Sequence, residues 1–166
     1  MIILTKMSRL IDLWDNMRNA SPQTTVKQLY VQGAALQVYA IYNPVSHCYG
    51  IAFSFNNTIS ANIKPFENLS ELMVSIRPDR SFQSNKMLIV ELYNQENLNV
   101  FGALCENLIR SIINIQNEAN AVHEILNQLI RWESLLSKSR EEGLTLQQQL
   151  GLFGELFFLA KFLNNR

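Results

Sequence analysis

The feature that most constrains this chain is a change of hydrophobic period. Up to about Tyr93 the apolar residues alternate or run in short aromatic and β-branched stretches; from Leu98 onward they recur every three to four positions. A period of two lines one face of a strand and a period near 3.6 lines one stripe of a helix. The chain therefore reads as α+β. It has a mostly antiparallel N-terminal sheet with a short leading helix, followed by a C-terminal bundle of about three helices, and the division into a β-rich domain (1–96) and a helical region (97–166) falls at the change of period.

The leading helix is set by Leu10, Leu13, Trp14 and Met17, at i, i+3, i+4 and i+7, and Ser21-Pro22 ends it. Gln28 to Tyr42 is strand-forming, with Gly33 expected at a bend or bulge. Asn43-Pro44 is a turn into a run with Tyr49, Ile51, Phe53 and Phe55 on one face and the small Cys48, Gly50, Ala52 and Ser54 on the other. After a turn at Asn56-Asn57, Ile59 to Lys64 is expected to be another short strand and Asn68 to Val74 a helical turn carrying Leu69, Leu72 and Met73. Met87 to Tyr93 reads as the last strand.

Two amphipathic stripes follow, Phe101, Leu104, Cys105, Leu108, Ile112 and Ile115, then Val122, Ile125, Leu126, Leu129, Trp132 and Leu136. Gly143 closes the second helix, and Thr145 with Gln148 has the spacing of a capping box for a final helix from Leu146. That last segment is apolar nearly all the way round and needs cover from elsewhere.

Composition narrows the function classes. The chain is 48% apolar and 17% charged, with Lys+Arg equal to Asp+Glu at 14 each, and it lacks the basic surplus or stripe of a protein that grips phosphates. No uncharged apolar run approaches the roughly 20 residues of a membrane span, and the short Met1 to Thr5 run is too brief for a signal-peptide core, so a cytoplasmic location is expected. Cys48 and Cys105 are far apart and outside any zinc spacing, which makes them buried free thiols.

Few residues offer chemistry. Glu155 is the one charged group inside the most apolar segment, between Gly154 and Leu156; burial there raises a carboxyl pKa unless a cation holds it ionised. Pro78-Asp79 spells the dipeptide of a metal-dependent nuclease motif, but the next strand carries Glu91 with no lysine two positions on, so a turn is the better reading. His47, by a hairpin turn, and His123, in a helix, have no carboxylate or cysteine at ligand spacing. Phosphate-binding, dinucleotide, zinc-protease and serine-hydrolase signatures are absent.

The C-terminal half nevertheless carries a specific pattern. Asn99-Val-Phe-Gly-Ala-Leu-Cys-Glu-Asn-Leu-Ile is followed by Arg131-Trp-Glu-Ser-Leu-Leu and then by Gly143-Leu-Thr-Leu-Gln-Gln-Gln-Leu-Gly-Leu-Phe-Gly-Glu-Leu-Phe-Phe-Leu. In order and spacing these segments resemble the PD-(D/E)XK motif proteins of bacterial defence loci, over roughly Asn99 to Leu163. The resemblance implies a β-rich region and a helical hairpin ahead of a helix bearing Gly-Leu-Phe-Gly-Glu-Leu, with the acidic and lysine motif strands after it. It implies a Mg²⁺-dependent DNA endonuclease in restriction or phage defence, and it makes Glu155 a metal-site candidate once the nuclease core is present. On that reading the chain stops before its Asp and Glu-x-Lys residues, no metal site closes within it, and it is inactive alone. The alternative is a non-enzymatic module whose apolar final helix docks on a partner or a second copy, forming a homo-oligomer.

Overall fold

A computed structural model describes residues 2–31, 34–141, 148 and 151. Helix α1 (Ile2–Asn19) leads into strands β1 (Val26–Val31), β2 (Gln37–Asn43), β3 (Cys48–Asn56), β4 (Leu72–Pro78) and β5 (Asn85–Leu92), and helices α2 (Leu98–Ile112) and α3 (Glu118–Glu141) follow. All pairings are antiparallel and the spatial order is β1-β2-β3-β5-β4, so β3 is the central strand and β1 and β4 are the edges. This is the α+β arrangement that the change of period predicts. The final helix expected from Leu146, with Gly143 and its capping box, lies outside the described residues apart from Gln148 and Gly151.

Two local expectations are corrected. Residues 59–63 form no strand; they lead into a 3-10 turn at Lys64–Phe66. The expected helical turn at Asn68 to Val74 is instead the approach to edge strand β4, in which Leu72, Val74 and Ile76 alternate onto the core face opposite Leu92, Val90 and Leu88. Leu69, Leu72 and Met73 have helical spacing by coincidence, and strand pairing with β5 overrides it. The leading helix also begins earlier than its apolar stripe, at Ile2.

The sheet carries its large residues on one face. Val38, Ala40, Tyr42, Tyr49, Ile51, Phe53, Phe55, Leu88, Val90 and Leu92 share a buried cluster with Leu10 and Trp14 of α1, Phe101, Leu104 and Leu108 of α2, and Ile125 and Leu129 of α3. The three helices therefore cover one face, and a single core runs across the boundary between sheet and helices. Trp14 is its keystone. It is wholly buried, stacks on Phe101 with ring centroids 5.4 Å apart, and its indole Nε1 donates to the Gly50 carbonyl at 3.0 Å. Asn117 caps α3 by accepting from the Asn120 amide, and Glu118 in the first turn accepts from the Asn56 amide at 2.9 Å, fastening α3 to the end of β3.

The opposite face is lined on β3 by Cys48, Gly50, Ala52 and Ser54 and holds a second buried cluster of Tyr39, Ile41, Ala52, Met87 and Ile89. Lys27 of β1 reaches Asp79, the residue after β4, at 2.7 Å. In a flat sheet four strand spacings of about 4.8 Å place the two edges roughly 19 Å apart, further than these two side chains jointly span. The two nonetheless meet over the small-residue face, where Asp79 also accepts from Ser54 of β3.

Candidate functional site

The small-residue face carries Lys27, Asp79, Arg77 and Glu91. Asp79 is 2% exposed; its Oδ1 accepts from Lys27 Nζ at 2.7 Å and from the Ser81 amide at 2.9 Å, and its Oδ2 accepts from Ser54 Oγ at 2.7 Å. Lys27 crosses the face to get there, with its ammonium 4.4 Å from the Tyr39 ring centroid and 3.9 Å from the Met87 sulfur. Burial pushes the Asp79 carboxyl up, but the hydrogen bonds from Lys27, Ser54 and Ser81 outweigh it and hold the carboxyl below its ordinary value.

Glu91 is fully buried at the far end of the same face. Arg77 Nη2 donates to its Oε2 at 3.1 Å, while Oε1, like the nearby Ser75 Oγ, has no hydrogen-bond partner among the described residues. Its side chain lies over Gly50, where a Cβ would meet Glu91 Cγ at 2.9 Å and the Val90 carbonyl oxygen at 3.0 Å. Burial raises the Glu91 carboxyl above its usual range, and the Arg77 charge and hydrogen bond only partly oppose this.

These two carboxylates are the closest match in the sheet to an acidic nuclease pair, and the fold keeps them apart. The Asp79 amide donates to the Asn85 carbonyl, so Asp79 lies beside Asn85, six residues along β5 from Glu91; at about 3.3 Å per residue that is roughly 20 Å. Asp79 is committed to Lys27 of the far edge strand and Glu91 to Arg77 of the neighbouring strand β4. Among the described residues no three His, Cys, Asp or Glu side chains converge as metal ligands, so these residues do not fit a Mg²⁺ site. Pro78-Asp79 does open a turn, as its sequence suggests; the inward aim of the Asp79 side chain was not foreseeable, because its partners Lys27 and Ser54 lie 52 and 25 positions away.

The other sequence candidates are placed as follows. His47 sits in the β2–β3 turn with a left-handed φ of 53°, its Nδ1 3.3 Å from Tyr42 Oη, and His123 is an exposed residue of α3. Cys48 and Cys105 are free and buried, as expected. Glu155 lies outside the described residues. No described helix is long and apolar enough to cross a membrane.

A further polar contact links helix to sheet. Tyr30 Oη donates to Glu106 Oε1 at 2.5 Å, and the Arg9 guanidinium lies 5.6 Å from the Tyr30 ring centroid. Burial, then the Glu106 carboxylate, pushes the Tyr30 hydroxyl well above its ordinary value, so it serves as a fixed donor. Beside it, α1 and the outer edge of β1 enclose a cleft of about 510 Å³ lined by Arg9, Asp12, Leu13, Asn16, Gln28, Leu29 and Tyr30.

No curated protein and no solved structure matches the chain. A family model does, over residues 10–166, and its description is "Putative PD-(D/E)XK family member, (DUF4420)". The match takes in the sheet, its helical cover and the Gly-Leu-Phe-Gly-Glu-Leu segment alike, and the chain belongs to that PD-(D/E)XK family.

Proposed function

We propose that the described domain is the non-catalytic, positioning part of a DNA endonuclease that acts in restriction or phage defence. The observation that carries this reading is the family match over residues 10–166. Two features support assigning the described residues to support rather than chemistry. The buried carboxylates Asp79 and Glu91 are each tied to a cation and lie at opposite ends of the sheet. No Glu-x-Lys or Asp-x-Lys triplet occurs anywhere in the 166 residues. On this reading Glu155 belongs to a Mg²⁺ site completed by an aspartate and a Glu-x-Lys that these residues do not contain.

The test is an incubation of the pure 166-residue protein with supercoiled plasmid DNA and Mg²⁺, alone and with an added polypeptide carrying the motif strands. The chain alone is expected to leave the plasmid intact. The reconstituted protein is expected to nick it, and to lose at least about a hundredfold in rate on Glu155→Ala, as for loss of a metal-site group. Mg²⁺-dependent cutting by the pure chain sinks the assignment of a non-catalytic domain. Reconstituted cutting that is indifferent to Glu155→Ala sinks the role of that residue.

A further inference from the structure

We propose that the β4–β5 turn is a contact for duplex DNA, in which Arg80 and Lys86 bind backbone phosphates and the Phe82 ring packs on a sugar or base edge in a groove. The proposal rests on the reading of the chain as part of a DNA endonuclease and says where that DNA lies against the described domain.

With no positive surplus in the chain, phosphate binding falls to cations that no carboxylate answers. Arg18, Lys27 and Arg77 are spent on Asp15, Asp79 and Glu91 in turn. Arg80 and Lys86 make no ion pair among the described residues, and they lie six positions apart on one tight turn. Between Glu71 and Glu91 the only carboxylate is Asp79, which is 2% exposed and already paired with Lys27. The adjoining residues 57–63 carry no charge, and Glu118, at the same end of the sheet, accepts from the Asn56 amide. The turn therefore presents positive charge with no exposed acid of its own.

The turn is also held in one shape. Asp79 Oδ1 accepts from the Ser81 amide at 2.9 Å, the Phe82 amide donates to the Asp79 carbonyl at 3.3 Å and the Asn85 amide to the Phe82 carbonyl at 2.9 Å. The Asn57 amide donates to the Ser84 carbonyl at 2.8 Å and ties the turn to the end of β3. A fixed backbone leaves less freedom to lose on binding. Phe82 is 45% exposed at its crest, where an aromatic ring is ordinarily buried, and the exposed Ser81, Gln83 and Ser84 surround it with hydrogen-bonding groups. Two cations and short polar side chains for phosphate and sugar oxygens, with one ring for a sugar or base, are the mixture that a nucleic acid takes. A lipid surface takes a broader apolar face than one phenylalanine.

The test is fluorescence anisotropy of a labelled random-sequence DNA duplex titrated with the full chain, without metal and over a range of salt, with circular dichroism to confirm that each variant is folded. Salt-dependent binding is expected. Arg80→Glu weakens it by at least about tenfold, and Arg80→Ala lowers the slope of log K against log salt by about one, as for the loss of one phosphate contact. Phe82→Ala weakens it by at least about fivefold and leaves the slope unchanged. Arg131→Glu makes the same charge change on an exposed residue of α3, about 20 Å along the helix from Glu118, and shifts the affinity by less than about twofold. Absence of binding at low salt overturns the proposal, and so does an Arg80→Glu effect no larger than that of Arg131→Glu. Displacement of the DNA by polyglutamate at equal charge overturns it in favour of an acidic polypeptide. Reconstituted cutting without turn-dependent binding sinks this contact alone, whereas turn-dependent binding without reconstituted cutting sinks the endonuclease reading alone.

Discussion

Two carboxylates on one sheet face, both almost without solvent, are shifted in opposite directions, and the difference is the number of donors that reach each. Among the described residues Asp79 accepts three hydrogen bonds, one of them from an ammonium group, whereas Glu91 accepts one and leaves an oxygen bare. The folded value of Asp79 lies below that of the unfolded chain, so it adds stability above the unfolded carboxylate range, near pH 4, and this is lost as pH falls through the folded value. Glu91 has the opposite sign: the fold favours its protonated form, so stability declines as pH rises from the unfolded carboxylate range through the raised folded value. Urea midpoints measured across pH should therefore separate the pair. Asp79→Asn is expected to cost about 2 kcal/mol at neutral pH, since it strips a part-buried lysine of its counter-charge, with the difference shrinking in acid. Glu91→Gln keeps an acceptor for Arg77 and is expected to be neutral or stabilising at pH 7. A loss from Glu91→Gln equal to that from Asp79→Asn would contradict this account.

At the scale of the element, β3 shapes the molecule. Its bulky face anchors the core, and over its small face Lys27 of one edge strand meets Asp79 beyond the other. Gly50 is where these roles meet, because its carbonyl receives the Trp14 indole while the space above its Cα is filled by Glu91. A methyl group there would press on the Val90 backbone as well as on a side chain, and backbone held in a central strand pair cannot yield cheaply. Gly50→Ala is therefore expected to destabilise by about 1–3 kcal/mol, whereas Ala substitution at the exposed Gln28 of β1 should be near neutral. Thermal unfolding of the two variants checks the contrast.

At the scale of the whole molecule, one buried cluster spans α1, the sheet, α2 and α3, so the described domain is expected to unfold in a single transition, with tryptophan fluorescence and far-ultraviolet circular dichroism tracing the same curve. Two separated transitions would show that sheet and helices are independent units. Most of this architecture was legible in advance where the signal is local. Helices declared themselves through the 3.6-residue stripes of Trp14, Leu108 and Ile125, the β2–β3 hairpin through Asn43-Pro44 and the alternation that follows, and the family through Gly143 to Leu159. Strand β4 was hidden because Leu69, Leu72 and Met73 imitate a helical turn until β5 supplies a partner. The inward aim of Asp79, the bare oxygen of Glu91 and the cleft between α1 and β1 were beyond any local reading. The sequence by itself determined element type and order, since those follow from periodicity and turn residues acting over a few positions. Only the tertiary structure decided which charges pair, because that depends on strand order, which joins residues dozens of positions apart.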